Sequence, residues 1–314
     1  MTAETNPSPI GAPRADRSAV TLRRELLRLV LYAALPIVAV TLGLIAYLLA
    51  TQREAQSDTV AQAARSIALA VDREAARAQT MAVTLAASPL LDRIGGSEVA
   101  MPAFENYVRR LAQTVPGLRV ILLDPTGEQL VNTDAPRGAA LPNLFADASA
   151  GAANATHWRR LFSDRDAQFS NLYQRAIDGK ASLAYRQTVI RGDRVVGAIA
   201  VAFEAGELSA MLAREPFQQD WIVAVVDADG TIIARNREAA RFVGRQASPS
   251  IRDALRVSGD NSGPLPATHL RKGTTVDGQE VFQATSRSPR SGWTIAVGAP
   301  IEVATAELAR SLGV

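Results

Sequence analysis

Residues 120–132 read Val120-Ile-Leu-Leu-Asp124-Pro-Thr-Gly127-Glu-Gln-Leu-Val-Asn132, an apolar β-type run, a polar break and a second run. Asp at the first position of the break, Pro at the second and Gly at the fourth suit a type I turn, so two antiparallel strands are predicted. The device returns as Val223-Ala-Val-Val-Asp227-Ala-Asp-Gly230-Thr-Ile-Ile-Ala-Arg235, with the valine, the aspartate and the glycine at the same spacing. A second matched pair follows each copy. Ala184 to Phe203 and Phe282 to Ala299 each give strand, polar turn and strand, and share Ile-Ala-Val at 199–201 and 295–297. Repetition of two devices in one order implies a duplicated module. Each copy is then an antiparallel sheet whose apolar face needs a cover, which makes the fold class α+β. Gly206 to Arg214 reads as a short helix bridging the copies.

Toward the N-terminus the period changes. A short helix is expected around Ala103 to Thr114, and before it Gln52 to Ser88 contain neither Gly nor Pro. Apolar residues recur there at Val60, Ala64, Ile67, Val71, Ala78, Met81 and Leu85, broken only by Glu74, which is the pattern of a long amphipathic helix. At ~1.5 Å per residue it would extend about 55 Å before Pro89 and Gly95-Gly96 stop it. Its seam packs on its own domain, or also pairs with the same helix of a second chain; the sequence leaves both open.

Leu29 to Ala50 carry no charged residue. That run covers about 33 Å as a helix, matching a hydrocarbon core of ~30 Å, and reads as one transmembrane helix with Tyr32 and Tyr47 near its ends. A secretory signal has a shorter apolar region and a small-x-small cleavage pattern, which Leu48-Leu49-Ala50 lacks. Arg14, Arg17, Arg23, Arg24 and Arg28 precede the run, whereas Arg53 is balanced by Glu54 and Asp58 after it, so the N-terminus is expected in the cytoplasm and residues 51–314 outside the cytoplasmic membrane.

The 314 residues are 47% hydrophobic and 21% charged, with no Cys, which excludes disulfide scaffolds, thiolate nucleophiles and Cys-built zinc sites. The formal net charge is only +3 and the excess sits in the N-terminal tail, so a nucleic-acid partner is set aside. There is no phosphate-binding G-x-x-x-x-G-K-[ST], no kinase nucleotide motif, no H-E-x-x-H and no G-x-S-x-G, so no catalytic residue, metal site or cofactor is expected in this chain. His157 and His269 read as loop histidines. Asp227-Ala-Asp229-Gly230 reads as a turn rather than a calcium loop, since the remaining acidic positions are missing. Arg191-Gly-Asp193 reads as a hairpin turn. Asn154-Ala-Thr156 is a glycosylation sequon only in a host that glycosylates there.

A membrane helix, a long helix beyond it and two tandem strand-turn-strand modules resemble the double Cache sensor domain, a PAS-like extracytoplasmic ligand-binding unit of bacterial receptors. The phrases Leu130-Val-Asn132-Thr133 with Pro136, Gly138 and Leu141-Pro142, then Val225-Val-Asp227 and Gly230, Arg241-Phe-Val-Gly244, and Ser288-Pro-Arg-Ser-Gly292-Trp293-Thr-Ile-Ala-Val297, are similar in their order to alphaproteobacterial sensor histidine kinases. The resemblance covers roughly residues 30–310. It implies a cytoplasmic tail at 1–28, the span at 29–50, the long helix plus a membrane-distal module at 51–204, a membrane-proximal module at 205–300, and the start of a juxtamembrane helix at 301–314. It also implies a homodimer and a small ligand held by the membrane-distal module.

In that module polar and aromatic residues cluster between Trp158 and Arg186. Trp158, Tyr173 and Tyr185 are expected as apolar walls, and Ser170, Asn171 and Arg186 as donors suited to a carboxylate, which arginine binds through two parallel hydrogen bonds. The competing reading of the same residues is core aromatics and a solvated strand arginine. The Tyr, Arg, Trp-Tyr and later Asp order of the amino-acid-binding subclass is not found. The second module, with Trp293 plugging its core, is expected to couple rather than sense. The functional expectation is therefore the sensing half of a receptor, most directly a histidine kinase. The alternatives are a chemotaxis or cyclic-nucleotide-forming output, or a tethered binding protein with no output.

Overall fold

The computed structural model describes residues 17–92, 100–115, 117–146, 152–175, 177–216, 220–257 and 271–301. The chain divides into two compact units, residues 1–56 and 57–314. Helix α1 is assigned to Arg17–Ala86. Residues 29–50 are helical within it, while most of their side chains lie outside the described residues. Among the described residues no helix is long and apolar enough to cross a membrane. The first 16 residues of the expected tail, Gly95-Gly96, His269 and the expected helix from Glu302 also lie outside the described residues.

Residues 57–86 of α1 open the second unit. Val60, Ala64, Ile67, Val71, Ala78 and Leu85 are buried, Met81 is half-buried, and Ala75 and Ala82 fill the same stripe. This seam packs on its own domain, in one core with residues from both sheets. A 3₁₀ turn at Pro89–Leu91, capped by Ser88 Oγ accepting from the Leu90 amide, ends the helix where Pro removes a donor. Helix α2, Ala100–Thr114, follows and buries Phe104 and Val108 against the same core.

The first sheet comprises β1 (Arg119–Leu123), β2 (Gln129–Asn132), β3 (Gln168–Phe169), β4 (Tyr173–Gln174), β5 (Ala181–Arg191) and β6 (Arg194–Glu204). It is antiparallel in the order β2-β1-β6-β5-β3, with β4 also on β5. Helix α3 (Ala152–Asp164) lies between β2 and β3 in sequence, and α4 (Ala205–Arg214) leads to the second sheet. That sheet comprises β7 (Ile222–Val226), β8 (Ile232–Arg235), β9 (Arg271–Thr274), β10 (Glu280–Arg287) and β11 (Thr294–Pro300), in the order β8-β7-β11-β10-β9. Helices α5 (Ala239–Phe242) and α6 (Pro249–Val257) lie between β8 and β9. Counted from the first strand of each, the order is 2-1-6-5-3 in the first module and 2-1-5-4-3 in the second, the same arrangement once β3 and β4, which both pair with β5, are taken as one edge.

The duplication extends to single hydrogen bonds. Gly127 N–H donates to Asp124 O and Gly230 N–H to Asp227 O, both at 3.1 Å. Asp124 Oδ1 accepts from the amides of Thr126 and Glu128, and Asp227 Oδ1 from those of Asp229 and Thr231. Each first strand slips register one residue before its turn, at Leu122/Leu123 and at Val225/Val226. Gly127 and Gly230 both adopt the left-handed backbone, with φ of 86° and 79°, which a side chain disfavours.

Period-2 alternation divides each sheet between two cores. Val120, Leu122, Leu183, Tyr185, Ile199 and Val201 join Val223, Val225, Ile295 and Val297 in the core under α1. On the opposite faces, Ile121, Leu123, Ala184, Ala198, Ala200 and Ala202 pack under α3, and Ala224, Val226 and Ile232 pack with Phe242, Ile251 and Leu255 of α5 and α6. Helix α4 buries Leu208 and Leu212 between the modules. One loop expectation is corrected here: His157 lies within α3, as does the Asn154-Ala-Thr156 sequon. The polar and alanine-rich sequence around them hid a helix whose buried residues, among those described, are Asn154, Ala155, Trp158 and Leu161. Trp293 is buried as expected, but its partners are Phe169 and Phe203 of the first module, at centroid distances of 5.4 and 6.3 Å, so it fills the core common to both.

Candidate functional site

The outer face of the first sheet is floored by small residues. Ala184 pairs with Ala202 across β5 and β6, and Arg186 pairs with Ala200. One position on that floor is therefore an arginine among alanines. Arg186 is 2% exposed. Its guanidinium lies 4.7 Å from the Trp158 ring centroid and 5.6 Å from that of Tyr173, and one of its amines, Nη2, donates to Asn154 Oδ1. Nε is buried with no hydrogen-bond partner among the described residues. Among the described residues no carboxylate pairs with it. Burial pushes its pKa down from 12.5 to about 10, with Tyr173 opposing slightly. A shift of that size corresponds to about 3 kcal/mol of uncompensated charge, in a place where a buried cation ordinarily finds an anion.

Beside it lies a cleft of about 30 Å³, lined among others by Gln129, Asn132, Asp134, Asn154, Trp158, Tyr173 and Ile177. Asn132 and Gln129 come from β2, with Asn132 Nδ2 donating to Gln129 Oε1 at 2.7 Å. Burial raises the Tyr173 hydroxyl above its ordinary value, so it is a neutral donor at physiological pH.

One wall is an ion network. Arg175, also almost fully buried, donates to Asp134 Oδ2 at 2.7 Å, to Glu204 Oε1 at 3.1 Å and to Asp178. Arg119 bridges Glu204 at 2.8 Å and Asp134 at 3.3 Å, and Lys180 reaches Glu204 at 3.0 Å. Burial tends to lower the Arg175 pKa, but Asp178, Asp134 and Glu204 more than offset it and hold it above the usual value. Burial raises Asp134 despite Arg175 and Arg119. The hydrogen bond from Lys180 is the main reason Glu204 lies below the carboxylate range. Two buried arginines thus stand near one cleft, one saturated with carboxylates and one without any.

Of the six residues expected at the site, Trp158, Tyr173 and Arg186 come together here. Ser170, Asn171 and Tyr185 do not. Ser170 and Ala184 exchange hydrogen bonds, the Oγ accepting from the Ala184 amide at 2.9 Å and the Ser170 amide donating to Ala184 O at 2.8 Å, which ties the chain after β3 to β5. Asn171 donates to Asp229 Oδ2 at 2.6 Å, and the Leu172 amide to Asp227 Oδ2 at 3.0 Å, so this segment docks on the turn of the second module. Tyr185 faces the other core, where its hydroxyl accepts from Gln79 Nε2 of α1 at 3.3 Å. Arg186 and Tyr185 are sequence neighbours on a strand, and consecutive side chains take opposite faces. That rule alone separates them. Asn132, Gln129, Asp134, Asn154 and Arg175 were not anticipated. Asn132 carries a readable signal, a polar residue ending an apolar strand, whereas Asn154 and Arg175 arrive only through α3 and the turn after β4.

No protein-family model matches the sequence, and no curated protein matches it either. Solved structures do resemble it in fold. The extracellular domain of rpHK1S-Z16, assigned to a histidine kinase, aligns with a TM-score of 0.63 at 15% identity over 80% of this chain and 97% of that one. The ligand-binding domain of the Campylobacter jejuni chemoreceptor Tlp3 in complex with L-valine aligns with a TM-score of 0.58 at 12% identity, over 81% and 96%. The Tlp3 sensory domain with isoleucine bound gives 0.59 at 13% identity, over 81% and 96%. The chain therefore shares the two-module α+β fold of these extracellular sensory domains.

Proposed function

We propose that this chain is the extracytoplasmic input region of a membrane receptor, and that its first module binds a small carboxylate beside Arg186. The observation that carries this is a buried guanidinium between two aromatic rings, with an unsatisfied donor and no anion in reach. A ligand carboxylate supplies the missing charge, and the polar side chains of Asn132, Gln129 and Asp134 suit a hydrogen-bonding group at the other end of the same small molecule. The amino-acid ligands of Tlp3 belong to this chemical class.

The cleft of about 30 Å³ has room for one or two waters. A ligand of six or more heavy atoms enters only as the walls separate, so binding and rearrangement are one event. Differential affinity for the opened arrangement is the quantity that shifts the receptor between states. The proposed anchor is the apolar run 29–50, with the arginine-rich tail before it inside the cell and residues 51–314 outside. The proposed output is a histidine kinase acting from a homodimer. The Tlp3 likeness makes a chemotaxis output the second reading.

A thermal-unfolding screen of the full chain in detergent, against amino acids, hydroxy acids, dicarboxylates and amines, tests this. A matching acid at 100 times its Kd raises the unfolding free energy by about 2.7 kcal/mol. Arg186→Met abolishes the effect while the unliganded protein stays folded. Stabilisation that survives Arg186→Met, or that amines alone produce, defeats the proposal.

A further inference from the structure

The second module repeats the outward cavity and puts a different charge in it. Register aligns the two sheets residue by residue: Ile121 pairs with Asn132 and Ala200, and Ala224 pairs with Arg235 and Ala296. Arg235 therefore occupies the position of Asn132, a residue that lines the first cleft. The position of Arg186, opposite Ala200, is held in the second module by Thr285, opposite Ala296.

Arg235 is 3% exposed and lines a separate cavity of about 30 Å³ on the outer face of its own sheet. The floor is again small, with Ala224, Ala296 and Gly298, and the walls are Ile222, Ile232, Ile251, Val276 and Val281. The Arg235 guanidinium lies 3.9 Å from the Phe242 ring centroid. Nη2 donates to Asp277 Oδ1 at 3.0 Å, while Nη1 is buried with no hydrogen-bond partner among the described residues. Gln283, whose amide oxygen accepts from Ser250 Oγ at 3.0 Å, lines the same cavity as a second polar side chain.

From this arrangement we infer that the second module holds its own binding site, for a short aliphatic monocarboxylate of two to four carbons. One ligand oxygen takes the donor that Nη1 leaves unused, next to the Gln283 amide, and the hydrocarbon end lies among the isoleucines and valines over the alanine and glycine floor. As it stands the cavity, like the first cleft, has room for only one or two waters, so the acid enters as the walls separate and only short chains are accommodated. Among the described residues Asp277 is the carboxylate paired with Arg235 and is already engaged there, so the site offers an ammonium group no unpaired anion, and acids without an amine are selected. This differs in place and in ligand from the site proposed at Arg186, and does not depend on it.

The experiment is titration of the full chain in detergent with acetate, propionate and butyrate, followed by saturation-transfer nuclear magnetic resonance of the ligand protons. The expected result is saturable binding that tightens about fourfold per methylene up to butyrate. It is lost in Arg235→Gln and in Ala296→Leu, which fills the floor without touching the guanidinium, and is kept in Arg186→Met. Using two variants separates loss of the site from loss of the fold. Absence of saturable binding in the unmodified chain overturns the inference, as does binding that survives both second-module variants. Binding lost only in Arg186→Met also overturns it, and would leave the first-module proposal standing.

Discussion

The two modules share a strand order, a turn and a bulge, yet they treat a buried arginine in opposite ways. In the first, Arg186 stands on β5 with aromatic faces and an amide around it and no carboxylate. In the second, Arg235 stands on β8 and is matched by Asp277, with one amine left over. The backbone frame leaves the identity of the charged position unspecified. What differs is what stands over the outward face: helix α3 with Asn154 and Trp158 in one, helices α5 and α6 together with the β9–β10 hairpin and its Asp277 in the other. The lesson is that a duplicated sheet can keep its cavity while the charge balance beside it is reset by what covers it. The first cavity is the more demanding of an external anion, because its cation has none of its own.

The comparison breaks most severely at a third arginine. Arg175→Met leaves Asp134, Asp178 and Glu204 around a missing cation, and urea unfolding should register a loss of about 3–5 kcal/mol. No residue of the second module, Arg235 included, should cost as much among the arginines. The turns give the next largest contrast. A Cβ on Gly127 would stand 2.4 Å from the Phe145 ring, whereas one on Gly230 meets Arg252 Cγ at 3.4 Å. Both alanine variants carry the left-handed penalty of about 1–2 kcal/mol. Only Gly127→Ala adds overpacking of about 1–3 kcal/mol, so equal losses in the two variants would contradict the packing described.

A smaller effect has opposite signs in the two modules. Arg186→Met removes an uncompensated buried charge and should leave the unliganded protein as stable as before or more stable, by about 1–3 kcal/mol. Arg235→Met strands Asp277 and should destabilise by about 1–2 kcal/mol in the same urea titration. A loss of stability in the first variant would mean that Arg186 already has an anionic partner. The smallest effect is in pH. Burial raises the Asp277 carboxyl, but hydrogen bonds from Thr275 and its own amide and the Arg235 charge outweigh this and hold it below its ordinary value. A depressed carboxylate contributes stability above the unfolded pKa, and the contribution is lost as pH falls through the folded one. Asp277→Asn should therefore differ from the unmodified chain by about 1 kcal/mol at neutral pH, and the two stability curves should converge as the solution is acidified below about pH 4.

Much of the frame was legible in the sequence because it depends on local rules. The Asp-x-x-Gly turns, the 4,3 stripe of α1 and the paired strand devices announce themselves through periods of 2 and 3.6 and through positive-φ glycines. Site membership was half legible. Trp158 and Tyr173 line a cleft and Arg186 stacks against their rings, but Tyr185 was set beside Arg186 by closeness in sequence, which on a strand places the two on opposite faces. Ser170 and Asn171 are polar for reasons of chain tying and module docking. A hydrogen-bonding residue in a list of types does not declare which partner it serves.

The sequence by itself determined the duplication, the α+β class and the long amphipathic helix, since these follow from hydrophobic spacing along a short window. Only the tertiary structure decided that, among the described residues, Arg186 has no counter-charge while Arg175 has three, and that Arg235 takes the place of Asn132. Those facts are sums over neighbours brought in from α3, the β4–β5 turn and the β9–β10 hairpin. Electrostatic compensation is a property of three-dimensional distance, which no spacing along the chain encodes.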